Sequence, residues 1–219
     1  MRKIDKEEMR RTYAKKIINV IRIQGFNSLK IQDMAEHMQI SKATLYNYFS
    51  SKEEIIHEVA QTYISFFEQV DQTILNSELT YINRFQKAFE QEVLTSIYIS
   101  NLFLEELKIG FPDLYEGIIS AQRKIKSDIR KFYKMGMEEG IFHSLNPYIL
   151  LMQDEVILRK LLDPTYLIEE GITIKQALFD YYQAKKVQII KPDALLAIND
   201  EPMIEKIEQL ARKLSHSYL

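Results

Sequence analysis

Residues 31–49 read IQDMAEHMQISKATLYNYF, from Ile31 to Phe49, and the way this stretch folds decides the rest. Two runs with helical spacing, each seven to nine residues long, flank a turn of three to four residues, which is the helix-turn-helix pattern. Met34, Met38, Ile40, Leu45 and Phe49 supply an apolar seam between the two runs. Ala35 falls where the helices approach most closely and only a small side chain fits. Ser41 stands just ahead of the second run, where its oxygen caps the helix.

The second run has two unlike faces. Leu45 and Phe49 share one side at i, i+4. Ala43 and Asn47 point the other way, flanked by Thr44 and Tyr46. This outward face is polar and uncharged except at Lys42, as a surface that reads base edges requires. Asn47 can take adenine with two hydrogen bonds. Lys42 can reach guanine or a phosphate, and Ala43 or the Thr44 methyl can touch a thymine methyl. A helical hairpin inside an ordinary all-α domain would show the same seam, so the pattern alone leaves both readings open.

Working outward, the first helix is expected from a capping box at Asp5 and Glu8 to Gln24-Gly25, with Met9, Tyr13, Ile17, Val20 and Ile21 at helical spacing. Ser28 is expected to cap the second helix, to about Met38, and Ser41 the third, to about Phe49. A capping box at Ser51–Glu54 opens a long fourth helix to about Asn76. Leu79 to Ile109 reads as helix broken once at most. Pro112 opens a helix ending at Gly140, Asn146-Pro147 one to about Leu162, Thr173 one to about Ile190, and Pro192 precedes a last helix near Pro202. No β alternation or fixed-period repeat is found. The fold class expected is all-α, with a helix-turn-helix domain over 1–52 and a larger helical domain over 53–219.

Charge is unevenly spread. The 219 residues carry a net −2, but residues 1–52 hold 11 Lys+Arg against five acids, a balance of +6, leaving −8 for the remainder. A basic head on an acidic body suits contact with a polyanion at one end. Cysteine is absent, which fits a reducing compartment. No signal-peptide core follows Met1, and the longest apolar runs are five residues, so a cytoplasmic protein with no membrane partner is expected. The four histidines (His37, His57, His143 and His216) are scattered without metal-ligand spacing, and six glycines form no phosphate loop. No enzyme activity, cofactor or metal is expected.

The segment from Ser41 to Glu53, SKATLYNYFSSKE, resembles the signature of the TetR family of bacterial regulators: small-polar, basic, any, Thr, Leu, Tyr, any, aromatic, Phe, two of any type, Lys, Glu. The resemblance covers residues 5–60 strongly. Beyond them Phe111-Pro112-Asp113 and the segment Gly136–Phe142 resemble family habits more weakly. It implies that the Tyr46 hydroxyl and the Tyr48 ring contact phosphates, and that Lys52 does so from a helix N-terminus. It further implies backbone or groove contacts from Lys30 and Gln32, and a recognition face of Lys42, Ala43, Thr44 and Asn47. One departure stands out: the turn position is usually Gly in the family and is Gln39 here, which costs about 1 kcal/mol if φ is positive. Arg2, Lys3 and Lys6 form either an arm toward phosphates or a solvated terminus.

The resemblance also implies that the C-terminal helices bind a small molecule and pair two subunits. Nineteen of the 24 aromatic residues follow residue 52. Tyr63, Phe66, Phe67, Phe85, Phe89, Tyr98, Phe103, Phe132, Tyr133 and Met137 are candidates to line an apolar cavity for an apolar or aromatic ligand. The segments Pro147–Leu162 and Ile174–Ile190 resemble the helices of a four-helix dimer interface, with Ile149, Val156, Leu178, Tyr182 and Lys185 as candidate contacts. The function expected is a homodimeric repressor released from a palindromic operator by a ligand. The alternative is a nucleoid- or division-associated member acting through a protein partner.

Overall fold

The computed structural model describes residues 3–217, with the side chains of 3–5, 69–73, 98, 164, 213 and 215–217 left out of the description. Arg2, and the side chains of Lys3 and of Asp5 in the expected capping box, therefore lie outside it. So does the side chain of Tyr98.

The described residues fold into twelve helices: α1 (Lys3–Gln24), α2 (Ile31–Met38), α3 (Lys42–Tyr48), α4 (Lys52–Ile74), α5 (Tyr81–Tyr98), α6 (Asn101–Gly110), α7 (Pro112–Glu138), α8 (Pro147–Leu161), α9 (Pro164–Glu170), α10 (Ile174–Ile189), α11 (Pro192–Leu195) and α12 (Glu201–Ser217). The boundaries follow local chemistry. Ser41 accepts from the Thr44 amide at 3.0 Å, Ser100 from Phe103 at 3.2 Å, Asn146 from Tyr148 at 2.9 Å and Thr173 from Gln176 at 3.2 Å. Each satisfies one of the orphan donors of a helix start. Ser100 is the reason the 79–109 stretch breaks into α5 and α6. Gly140 ends α7 at φ +73°. Asp163 starts α9, accepting from the Thr165 amide at 3.0 Å.

Ser28 does not cap α2. Its hydroxyl donates back to the Gln24 carbonyl at 3.0 Å, and α2 begins two residues later than expected, with the Lys30 amide donating to Asp33 at 2.8 Å. A serine ahead of an apolar run serves either end of a turn equally well, and here the end of α1 takes it.

The chain divides into two compact units, one of Met1–Gln69 with Tyr98–Arg123, the other of Val70–Ile97 with Lys124–Leu219. The boundary expected at 52/53 falls inside the first unit, at the start of α4. In that unit Ala14, Ile17, Ile21, Met34, Ala35, Met38, Leu45, Phe49, Ile55 and Val59 are fully buried and make the head's core. The second unit centres on Phe85, Phe89, Phe132, Tyr133, Phe142, Leu158 and Tyr182. There Gly136 makes room for the Phe142 ring, which a Cβ at 136 would meet closer than 3.0 Å. The backbone beyond α7 is then held by His143 N–H to the Ile189 carbonyl at 2.8 Å and Lys191 N–H to the Ile141 carbonyl at 3.0 Å.

Candidate nucleic-acid interface and a buried polar cluster

In the first unit the helix-turn-helix takes the form its sequence requires. The Ala35 methyl has no exposed surface, so α2 and α3 close over it. Leu45 and Phe49 are buried to the same degree, which fixes the rotation of α3. Lys42, Ala43, Tyr46 and Asn47 are thereby left exposed, while Thr44 and Tyr48 are half-buried. The Thr44 hydroxyl meets that of Ser41 at 2.8 Å, so it sits within the cap at the helix start. Tyr48 packs edge-on against Tyr13 of α1, with centroids 5.1 Å apart. Gln32 is exposed and bonded along α2 to Glu36 at 3.1 Å, and the Lys30 side chain is exposed.

Gln39 adopts the left-handed backbone, φ 61° and ψ 43°, and is the one non-glycine residue with positive φ among those described. Its amide caps α2 through the Ala35 and Glu36 carbonyls. The Lys16 ammonium, from α1, lies 3.2 Å from the Met38 carbonyl and 3.5 Å from the Gln39 side-chain oxygen. A cation at a helix C-terminus is favourable, and it offsets part of the backbone strain.

Three basic residues of the head are thus engaged by the protein's own backbone and carboxylates. Lys16 caps α2. Arg10 of α1 pairs with Glu58 at 3.2 Å and Glu54 at 3.7 Å, donates to the Tyr48 carbonyl at 3.3 Å and lies over the Phe49 ring. Lys52 donates to the Leu29 carbonyl at 2.6 Å and the Asn27 carbonyl at 3.4 Å. Glu54 in turn accepts from the Ser50 amide at 2.8 Å. That bond, helped by Arg10 and Lys6 against a small burial cost, holds its carboxyl below the usual range. Lys6, Arg11, Lys15, Lys30 and Lys42 remain exposed. An open groove of about 960 Å³ runs between α1 and α4, lined among others by Arg10, Arg11, Lys15, His57, Glu58 and Thr62.

The aromatic residues nominated for a cavity divide between the units. Tyr63, Phe67 and Phe103 lie in the first, with Tyr63 and Phe103 rings 5.3 Å apart. Phe85, Phe89, Phe132, Tyr133 and Met137 lie in the second. There Phe85 and Phe89 both pack on Tyr182, at 6.1 and 5.3 Å, and all but Met137 are fully buried.

The second unit contains a cluster that helical periodicity did not reveal. Lys185 of α10 forms ion pairs with Glu92 of α5 and Asp154 of α8, and all three are buried. The Tyr181 hydroxyl donates to the other Asp154 oxygen at 2.5 Å. The Lys185 ammonium lies 5.7 Å from the Tyr133 ring centre. Glu92 Oε1 and the Tyr133 hydroxyl are buried without a hydrogen-bond partner. Burial and the Asp154 charge push the Glu92 carboxyl well above its ordinary range, against the pull of Lys185. Burial opposes the Lys185 charge, but the two carboxylates outweigh it and hold the ammonium protonated. Beside this cluster Tyr182 donates to Asp200 at 2.7 Å and accepts from Gln86 at 3.1 Å.

This arrangement corrects the expected dimer contacts. Leu178, Tyr182 and Lys185 are buried within the protomer, so they have no surface to offer a second copy. The spacing placed them on one face of α10, and it is the inward one. The solvent face carries Val187 on α10 and Tyr148, Ile149, Met152 and Val156 on α8, the last 63% exposed.

A short helix that buries one side and offers four side chains on the other, within the basic stretch 1–52, has the form of a helix-turn-helix DNA-binding motif. Residues 16–59 match the family of bacterial regulatory proteins, tetR family. That match covers the head alone, and the helices beyond it adopt the fold of solved TetR-family regulators. Similar folds include a protein assigned as a transcriptional regulator, from Saccharomonospora viridis, in complex with choline (TM-score 0.65, 16% identity, 84% of this chain and 98% of that one). Another is the ketosteroid transcriptional regulator KstR2 of Mycobacterium tuberculosis (0.58, 18%, 84% and 95%). A third is AibR in complex with isovaleryl coenzyme A and operator DNA (0.57, 14%, 80% and 96%). No curated protein is similar enough in sequence to match. No helix among the described residues is long and apolar enough to cross a membrane.

Proposed function

We propose that the protein is a cytoplasmic, homodimeric repressor that reads a palindromic operator with α3 and leaves it when a small apolar or aromatic molecule binds the C-terminal helices. The observation that carries the DNA reading is the orientation of α3. Its buried Leu45 and Phe49 turn Lys42, Ala43, Tyr46 and Asn47 outward together. Asn47 and Lys42 take base edges, Ala43 and Thr44 offer methyl contacts, and Tyr46, Tyr48, Lys30 and Gln32 position the head on the backbone. Lys52 serves this interface by holding the turn ahead of α2, a role its bonds to two carbonyls support more directly than a phosphate contact.

A seven-residue helix spans only a few base pairs, so useful specificity needs two copies about 34–36 Å apart. The exposed apolar stripe on α8 with Val187 of α10 is the surface proposed to pair them. Ligand sensing is supported by the aromatic core of the second unit and by buried polar atoms without partners there, Glu92 Oε1 and the Tyr133 hydroxyl among them.

Selection of duplexes from a random pool by the full-length protein tests this reading. A palindromic site is expected, bound by a species of twice the 25.9 kDa chain mass, with affinity falling steeply as salt rises. Enrichment of no duplex at low ionic strength contradicts it. A thermal-shift screen against apolar and aromatic compounds tests the ligand. Failure of every compound would assign regulation to a protein partner instead.

A further inference from the structure

The turn between α1 and α2 is gripped from two sides by opposite charges. On its amide side the Glu106 carboxylate, from α6, accepts from the Phe26 N–H at 2.5 Å and the Asn27 N–H at 3.1 Å. On its carbonyl side Lys52, from α4, donates to Leu29 and Asn27. The rings of Phe103 and Phe111 stand edge-on to the buried Phe26 ring at 6.0 and 5.7 Å, one on α6 and one just past its end. Gly25 takes φ +72°, and any Cβ there would meet the Glu106 carboxylate closer than 3.0 Å. The glycine thus supplies both the backbone conformation and the clearance the acid needs. All of these residues belong to the first unit.

We infer that Glu106 is a positioning residue for DNA binding, clamping the turn from which α2, and through α2 the recognition helix, takes its place. The inference rests on the DNA reading proposed above. Leu29, whose carbonyl takes the Lys52 bond, is buried, and Lys30 is the N-cap of α2. Met34, Ala35 and Met38 of α2 are the surface on which α3 rests. Phe26 and Asn27 have lost the helical ladder of α1 and have not entered that of α2, so their amides depend on an acceptor brought from elsewhere. That acceptor lies 80 residues away, outside the three-helix motif. Hydrogen bonds weaken steeply with distance and angle, so a shift of α6 by an ångström or two releases the turn. The DNA-reading surface is therefore completed by a side chain from outside the three-helix motif.

The test uses full-length Glu106→Ala and Glu106→Gln with the duplex that the wild-type protein selects. Glu106→Ala is expected to bind about tenfold more weakly, as loss of a charged acceptor predicts. The slope of affinity against salt stays unchanged, because no phosphate contact is removed. Hydrogen exchange at the Phe26 and Asn27 amides accelerates, and Glu106→Gln, which keeps an acceptor oxygen, recovers part of the affinity. Wild-type affinity in Glu106→Ala overturns the inference. So does an affinity loss that merely tracks the fraction of unfolded protein in circular dichroism, or a reduced salt slope, which would make Glu106 part of the contact electrostatics. Failure of the wild-type protein to select any duplex is a separate result. It removes the DNA reading itself, and the positioning role with it.

Discussion

Lys16 on α1 places its ammonium 3.2 Å from the carbonyl of Met38, at the C-terminus of α2, beside the only left-handed non-glycine residue described. The turn is thus strained at Gln39 and partly relieved from outside. Gln39→Gly removes the Cβ cost and is expected to stabilise the protein by about 1 kcal/mol. In a chain of this size that raises Tm by roughly 2–4 °C. Calorimetry checks it, and a lowered Tm would mean that the Gln39 bond to Lys16 outweighs the strain.

Tyr46 and Asn47 are adjacent on the exposed face and should fail differently. Tyr46→Phe loses one hydroxyl proposed to bond phosphate, so binding is expected to weaken for all duplexes alike. Asn47→Ala is expected to cost about 1–3 kcal/mol on the preferred site and to relax preference at one base pair. Anisotropy titrations on the selected duplex and its single-base variants distinguish the two. The opposite pattern would show that α3 lies in the groove with another rotation.

Ile149 and Val156 are large apolar side chains open to solvent on α8. Replacing both with Asp places charges in the proposed interface, at little expense to the protomer because neither side chain is in its core. Light scattering is expected to show a shift from two chains to one, with loss of operator binding. A variant that stays dimeric would move the interface elsewhere.

Lys185 neutralises buried carboxylates, so its removal is costly. Lys185→Met leaves the buried Asp154 charge without its cation and Glu92 without its partner, and is expected to destabilise by about 3–5 kcal/mol. Adding Glu92→Gln and Asp154→Asn should recover most of the loss, since apolar or neutral groups of like shape replace a buried triad well. Denaturant unfolding of the single and triple variants measures it, and equal stability of the two would refute the coupling.

The same cluster gives a pH dependence with a defined sign. Glu92 faces Lys185 and Tyr181 of α10, Asp154 of α8 and Tyr133 of α7, and it ionises less readily folded than unfolded, chiefly because it is buried. Above about pH 4.3, where an unfolded glutamate ionises, the folded state holds the extra proton. Stability from this group is therefore complete below that pH and declines as pH rises toward the higher folded value. Glu92→Gln cannot titrate, so its Tm relative to wild type is expected to climb between pH 4.5 and 8. A constant difference would show Glu92 ionised in the fold throughout. Asp200 works in the opposite direction. Burial opposes its charge, but bonds from Lys186, Tyr182 and Gln183 outweigh that and hold its carboxyl low, so its contribution is lost as pH falls.

Much of the architecture was legible because it is local. Helix starts at Ser41, Asn146 and Thr173 depend on a side chain and an amide two or three residues away, and the two faces of α3 follow from the helical repeat. The left-handed turn at Gln39 was suggested only by the family resemblance, which places glycine at that position. Ser28 was misread because its hydroxyl reached back to Gln24, a choice that local sequence leaves open.

What the sequence by itself determined is the longer helices, the buried and outward sides of the recognition helix, and the basic head, since each arises from neighbours within a turn or two of chain. Only the tertiary structure decided that Lys52 grips a turn, that Glu106 completes the head from 80 positions away, and that Lys185 lies inside α10's core face instead of on an interface. The physical reason is that a charge on an amphipathic helix has the same local pattern whether water or a distant carboxylate receives it. Packing supplies the partner.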